Sequence, residues 1–389
     1  MQQDRRGFLK GLAAAPLFVP AAARGANDRP AFGMIGTGSR GQFLHTTFQK
    51  LGAPCVAVCD VYEPYLERAR ADSPQAKPYV NYRDLLQHKG IDFVVIGTPD
   101  HHHCPMLLDA LAAGKDVYIE KPLSLNIEES TRMVEAARKS DRIIQVGMHR
   151  RSMPFVHKAK ELIDTGILGR IALVKPMWNW NFRMPLDNSP LPGKLDWDLF
   201  QGSAPRKPLQ PKFFRWWRGF WAYSGGNMTD QGTHLMDVVQ WMTNSGPPRS
   251  AVCQGQIAGA TEGEVPDVFS AVFEYPNFLA TWTLNYTSSY DYDWSILFQG
   301  DKASMLLDRT GYKVFKDTGP SPQPWRDGRK PEITAQEPDR DSASAHQQNF
   351  LDCIRSRKQP NCTVEIAAAA VAGPHMANLA YRQDKKIRA

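Results

Sequence analysis

Ala31-Phe32-Gly33-Met34-Ile35-Gly36-Thr37-Gly38-Ser39-Arg40-Gly41 is the stretch on which the fold of this chain turns. A short apolar run closes on Gly-x-Gly-x-x-Gly, and an amphipathic segment over 41–50 follows. Such a run, bounded by glycine, reads as a buried strand, and the glycines as a turn into a helix. Gly36 is expected to make the tight turn, Gly38 to let the backbone approach a pyrophosphate, and Gly41 to let strand and helix pack closely. The free N–H groups of the helix start, at Ser39 and Arg40, then offer an anion site. Asp60 ends the next apolar run, 22 residues beyond Gly38, where an acid can accept from a ribose 2′-hydroxyl. A carboxylate there repels a 2′-phosphate, so NAD is expected ahead of NADP. Arg40, beside the loop, can accommodate that phosphate and leaves NADP open.

The same strand–helix pattern continues outward. Apolar runs at 55–60, 91–97, 116–120 and 142–147 alternate with helical segments at 64–71, 103–113 and 128–139, the last opened by Asn126 with Glu129. Residues 30–150 are therefore expected to form an α/β domain with a parallel, doubly wound (Rossmann) sheet. The pattern then changes. A helix at 154–164, a strand at 170–175, a Pro- and Trp-rich stretch and a helix at 232–242 lead to six strand-like runs between 250 and 315. Strands without intervening helices give an α+β domain, 151–389, with a large open, mostly antiparallel sheet. Residues 318–342 read as a surface loop, and two closing helices, the second opening at Thr363, can pack back on the first domain.

At 389 residues, 42% hydrophobic and 22% charged, the composition is that of a globular protein of two domains and excludes disorder, collagen and a disulfide scaffold. The net charge of +7 is spread without a five-residue basic block, so no nucleic-acid partner is expected. Asp4-Arg5-Arg6-Gly7-Phe8-Leu9-Lys10, a short apolar run and Ala21-Ala22-Ala23 resemble a twin-arginine export signal, with residues 1–29 as signal and linker. The apolar run is too short to span a bilayer, and a periplasmic or otherwise exported protein without a membrane partner is expected after processing. Cys55 and Cys59 lie about 13 Å apart along a strand, beyond disulfide reach. Cys353 and Cys362 are the one pair that could meet across a turn. No structural zinc site is expected.

Three further motifs fall at strand or helix ends, where open α/β sheets bind ligands. These are Thr98-Pro99-Asp100-His101-His102-His103, then Glu120-Lys121-Pro122, and then Gly225-Gly226 with Asp230-x-x-x-His234 opening a helix. With the glycine run, in that order, they make the chain resemble the Gfo/Idh/MocA oxidoreductases, the family of glucose–fructose oxidoreductase and inositol dehydrogenase. Trp197-Asp198-x-x-x-Gly202 and the Gly225-Gly226 pair are similar to its exported, twin-arginine subgroup. The resemblance implies Lys121, Asp230 and His234 as the catalytic set. It places Gly36, Gly38, Gly41, Asp60, Thr98, Pro99, His102 and Glu120 on the cofactor side.

The chemistry also stands on the residues themselves. Oxidising a sugar hydroxyl needs a base for the O–H proton while hydride leaves for the nicotinamide. His234 can serve as that base, Lys121 can donate to the same oxygen, and Asp230 can orient the histidine or bind a neighbouring hydroxyl. Three adjacent histidines point in different directions and make a poor coordination sphere, so no metal is expected. Twelve aromatic residues crowd 178–223 beside Asn179, Asn181, Arg183 and Arg215, a composition suited to carbohydrate. From it Trp178, Asn179, Trp197, Arg215 and Tyr223 are the substrate candidates, joined by Arg150.

An exported dehydrogenase meets no pool of free NAD, so a tightly bound, internally recycled cofactor is expected. Two enzyme classes meet that condition. One oxidises a sugar or glycoside and reduces a second carbonyl compound. The other is an NAD-dependent glycosidase working by transient oxidation, elimination and water addition, with Tyr223 or Asp198 as the extra group. A non-catalytic nucleotide-binding protein is the third reading. The open sheet of the second domain, with an apolar face to cover, predicts a homo-oligomer.

Overall fold

A computed structural model describes residues 29–182, 186–259, 262–319, 330–337 and 342–389. The segment read as an export signal, Arg183 and much of the 318–342 segment lie outside the described residues.

The first domain runs β1 (Phe32–Ile35), α1 (Ser39–Lys50), β2 (Cys55–Cys59), α2 (Glu63–Asp72), β3 (Lys77–Tyr79), α3 (Tyr82–Leu86), β4 (Phe93–Ile96), α4 (His103–Ala112), β5 (Asp116–Ile119), α5 (Ile127–Arg138) and β6 (Ile144–Val146). All six strands are parallel, in the order β3-β2-β1-β4-β5-β6. Strands β1, β4 and β5 are buried at every position, as continuous apolar runs flanked by helices on both faces must be. The order reverses between β1 and β4, and the crevice at that switch point opens at the strands' C-terminal ends. Helix α5 starts as its sequence demands. Asn126 Oδ1 accepts from Glu129 N at 2.9 Å, and Glu129 Oε2 accepts from Leu125 N at 2.9 Å.

The second domain continues with α6 (Pro154–Asp164), β7 (Ile171–Asn179), α7 (Trp197–Gln201), α8 (Pro211–Arg215), α9 (Gly226–Asp230) and α10 (Gly232–Thr243). Then come β8 (Ser250–Gln256), β9 (Val268–Glu274), β10 (Leu279–Asn285), β11 (Asp293–Gly300), β12 (Ala303–Asp308), β13 (Gly311–Lys316), β14 (Ile333–Gln336), α11 (Ser342–Ser356), α12 (Val364–Gln383) and β15 (Ile387–Arg388). The strands form one nine-stranded sheet, β14-β13-β12-β11-β7-β10-β9-β8-β15, antiparallel except where β7 meets β10. One face carries the core of Trp282, Trp294, Phe273 and Phe298, against which α6 and α10 pack. Strands β3 and β14 escape a reading by apolar runs because each is a short edge strand. In β3 it is written Lys-Pro-Tyr, with a proline an edge tolerates. Strand β14 falls inside the stretch read as loop.

The closing helices tie the two domains together. Phe350 of α11 enters the first domain's core among Phe48, Phe93 and Tyr118. The Ala-rich face of α12 packs on β6 and α5 of the first domain and on α10 and β8 of the second. All six cysteines are free and buried, Cys353 and Cys362 included, and burial pushes the Cys55 thiol up to about 12. The disulfide that a turn could have allowed is not formed.

Candidate functional site

The crevice at the sheet switch point is one cavity of about 890 Å³, roofed by the second domain. Its floor is the glycine loop. Gly36 sits at φ +80°, and a Cβ on Gly41 would lie 1.8 Å from Gly36 O, so neither position accepts a side chain. Gly38 caps α1 and has no side chain to satisfy the first-turn N–H groups, so those of Ser39 and Arg40 remain for a ligand at the cavity wall. A Cβ at Gly38 would meet only the edge of the Tyr65 ring, at 3.5 Å. The backbone is thus bare where a pyrophosphate would lie, and the residues fit a dinucleotide.

Asp60 follows directly on β2 and holds that loop in place. Its Oδ2 accepts from Thr37 N (2.7 Å) and Thr37 Oγ1 (3.1 Å), and its Oδ1 from Tyr62 N (2.9 Å). Burial pushes this carboxyl up, opposed by those bonds and by Arg68, whose Nη2 donates to Thr37 O at 2.5 Å. Arg40 does not stand where a 2′-phosphate would need it. Its Nε donates to Glu120 Oε1 at 2.8 Å, at the end of β5 rather than of β2, because a nearly buried carboxylate recruits the available cation. Thr98, Pro99 and His102 also line the cavity.

Lys121, Asp230 and His234 converge from three elements. Lys121 Nζ donates to Asp230 Oδ1 (2.7 Å) and Asp230 O (2.9 Å). Asp230 closes α9 and His234 lies in the first turn of α10, so the two helices break between them. Burial works to raise the Asp230 carboxyl, but Arg218 and Lys121 overcome it and hold the group below the usual carboxylate range. Lys121 and His234 are on the cavity wall; Asp230 stands behind them. Asp230 orients Lys121, not the histidine, and this corrects one of its two expected roles. The His234 ring packs edge-on to His149 at 5.1 Å, and its buried Nδ1 has no partner among the described residues. Burial, then the charges of Arg150 and Lys121, hold His234 far below its ordinary value, so its imidazole is neutral at pH 7.

Of the three histidines only His103 diverges; His101 and His102 lie side by side with ring centroids 4.0 Å apart, against the expectation that adjacent side chains point apart. His101 Nε2 and His102 Nε2 both meet Phe200 O, at 2.8 and 2.7 Å, fastening the end of β4 to α7. His103 turns to Pro122 O and Thr98 O. No group of three or more His, Cys, Asp or Glu is placed to hold a metal among the described residues.

The aromatic stretch corrects most of the substrate set. Strand β7 extends to Asn179, four residues past the run read from sequence, and its alternation turns Val174, Pro176 and Trp178 into the core. Arg150 is buried over Trp178 and Trp294, with its guanidinium 5.2 and 4.4 Å from the rings. Asn179 donates to Tyr290 O at the far strand end. Trp197 stacks on Phe200 and donates its Nε1 to Lys207 O, and Tyr223 is sealed within the same cluster. None of these five lines the cavity. Arg215 does, although its guanidinium is bound to the carbonyls of Asp187, Ser189 and Pro190. What the wall presents instead is His149, Asp198, Trp216, Trp217 and Arg218. Trp216, Trp217 and Arg218 adjoin Arg215 in sequence, and only the fold distinguishes which of them face inward.

Comparison with known proteins agrees with this architecture. Residues 31–148 match the model of the oxidoreductase family with an NAD-binding Rossmann fold, and residues 199–306 match the GFO/IDH/MocA C-terminal domain. An uncharacterized oxidoreductase of Streptococcus pneumoniae is 26% identical over 282 residues, 71% of this chain and 68% of its own length. A glycosyl hydrolase family 109 protein of Shewanella sp. is 35% identical over only 124 residues, 28% of this chain, which spans 26% of that relative. Among solved structures, the WlbA dehydrogenase of Bordetella pertussis, in complex with NADH and UDP-GlcNAcA, superposes with a TM-score of 0.71 at 21% identity, over 93% of this chain and 99% of its own. A levoglucosan dehydrogenase in complex with NADH and levoglucosan gives 0.72 at 17% identity, over 93% and 99%. At such identities the likeness is one of fold. The two family models cover more than half the chain, and together with the geometry they lead to one conclusion: it belongs to the Gfo/Idh/MocA family of oxidoreductases and carries an NAD-binding Rossmann domain.

Proposed function

We propose that this protein oxidises a hydroxyl of a sugar or glycoside, with its NAD held tightly and recycled in place. The observation that carries the reading is the pairing of a fixed ammonium, Lys121, with a neutral imidazole, His234, on one cavity wall beside the nucleotide loop. NAD, when bound, supplies the acceptor for the hydrogen that leaves the carbon with its electron pair. Two of the three N–H groups of Lys121 are spent on Asp230, which leaves one for the substrate oxygen. That donation steadies the oxygen as it loses its proton to a ring nitrogen of His234. The aromatic insert between β7 and α9 contributes Trp216 and Trp217 to the cavity wall beside the reacting groups.

The twin-arginine segment supports export of the folded protein with its nucleotide on board, to the periplasm or beyond. The nine-stranded sheet supports a homo-oligomer. Leu173, Met177, Val272, Leu297 and Leu306 are half-buried on the face away from the core, beside the exposed Leu279. A second copy would cover them, and a monomer mass in solution would contradict this.

The family 109 match lends the glycosidase reading its own support, although it covers only 28% of this chain. With Tyr223 sealed in the aromatic cluster, Asp198 is the remaining candidate for the extra group. A panel of free sugars and glycosides, read by mass spectrometry without added nucleotide, separates the two. Product lighter by two hydrogens, formed repeatedly only when a second carbonyl compound is present, is the expected result. Free sugar released without lasting oxidation would replace it with the glycosidase.

A further inference from the structure

Beside Lys121 the cavity wall carries a cation with only a shared partner. Arg218 Nε lies 3.3 Å from Asp230 Oδ1, the same oxygen that takes Lys121 Nζ at 2.7 Å. One carboxylate thus faces two cations. Asp230 is the only acid that Arg218 pairs with among the described residues. The other arginines of the wall are engaged: Arg40 by Glu120, Arg206 by Asp198, Arg83 by Asp109, and Arg215 by Asp187 and three carbonyls. Arg218 is also held in place. Its guanidinium stacks 4.1 Å over the Trp217 ring, while its side chain stays 40% exposed. A second acid that acts on Arg218, Asp100, is buried against Ser224 and pushed up to about 7 by burial and by Asp230, so it offsets the excess charge only in part.

A stacked, partly desolvated guanidinium with a shared counter-ion is a receptor for a planar anion. We propose that Arg218 selects a carboxylate on the substrate, so that the sugar taken at Lys121 and His234 is a uronic acid or its glycoside. Arg218 acts through specificity and takes no part in the proton transfer. The proposal rests on the reading of the site as one for sugar hydroxyls, and binding can be tested apart from turnover.

The test uses NADH-loaded full-length protein titrated calorimetrically with matched pairs: glucose and glucuronate, galactose and galacturonate, and their methyl glycosides. The uronate of a pair is expected to bind about 10- to 100-fold more tightly, with a preference that shrinks as salt rises. Arg218→Gln should abolish the preference, and Arg218→Lys should keep its sign while weakening it, with unchanged thermal unfolding marking both as folded. Equal binding of neutral and acidic partners, binding of neither, or a preference that survives in Arg218→Gln overturns the proposal. Capture of sugar phosphates in place of uronates overturns the carboxylate assignment. If Arg218→Gln does not fold, the wild-type preference and the Arg218→Lys variant decide. Arg218-dependent uronate binding without oxidation of any sugar would leave this proposal standing and remove the oxidoreductase reading.

Discussion

Lys121 and His234 meet on the cavity wall in different surroundings. Lys121 has a carboxylate within 2.7 Å, whereas His234 is buried among Arg150, Lys121, His149 and Arg40. A base that is already neutral loses nothing on mild acidification. The kcat/KM of the protein should therefore show no limb near pH 6.5; a limb there, lost on His234→Asn, would refute the neutral imidazole. Replacing Lys121 by Met keeps the bulk of the side chain and removes the donor. It should lower kcat on the order of 10²- to 10⁴-fold with NADH binding intact, as measured by fluorescence titration. A loss of NADH binding instead would make Lys121 a cofactor anchor. The residues themselves were legible in sequence, as was their convergence. Their partners were not: that Asp230 serves Lys121 and Arg218 rather than His234 depends on a break between two helices that spacing does not reveal.

Among the elements, the buried parallel strands announce themselves because both faces are apolar, and the glycine turn because only glycine fits it. Gly41→Ala makes that claim quantitative. Its methyl group would fall 1.8 Å from Gly36 O, so the loop must move, at a cost of about 1–3 kcal/mol, and NADH binding should weaken at least tenfold. Unchanged Tm and affinity would show the approach of helix and loop to be looser than described. Elements whose information lies in their partners are harder to read. Strand β3 is three residues long with a proline, and β14 borrows its pairing from β13. Strand β7 shows how one boundary propagates to function. Ended at residue 175, it leaves Trp178 free to face a sugar; extended to Asn179, its period of two turns the same ring into the core. The aromatic insert behaves alike, since Trp197 and Tyr223 pack on Phe200 while their neighbours Trp216 and Trp217 reach the cavity.

The whole molecule is a nucleotide domain and an open-sheet domain clamped by α11 and α12, with seven buried histidines and the half-buried His149 through its interior. All eight are held below their ordinary value, chiefly by burial, with His102, His346 and His375 at about 4. Each unfolded histidine binds a proton below about pH 6.5 that the folded one refuses. Their contribution is thus complete above that pH and is lost on acidification from about 6.5 to 4. The Tm should fall by more than about 10 °C across this window, and a flat profile would contradict the buried, neutral state. In the proposed reaction a sugar carbon gives its hydrogen to a nucleotide lodged over the glycine loop. That transfer can be weighed directly in a single turnover. Protein loaded with NAD is mixed with a sugar or uronate deuterated at every carbon, quenched in acid-free denaturant, and the released nucleotide is measured by mass spectrometry. One deuterium on the nucleotide, absent with Lys121→Met, is the result expected; nucleotide without deuterium, while product forms, would contradict it.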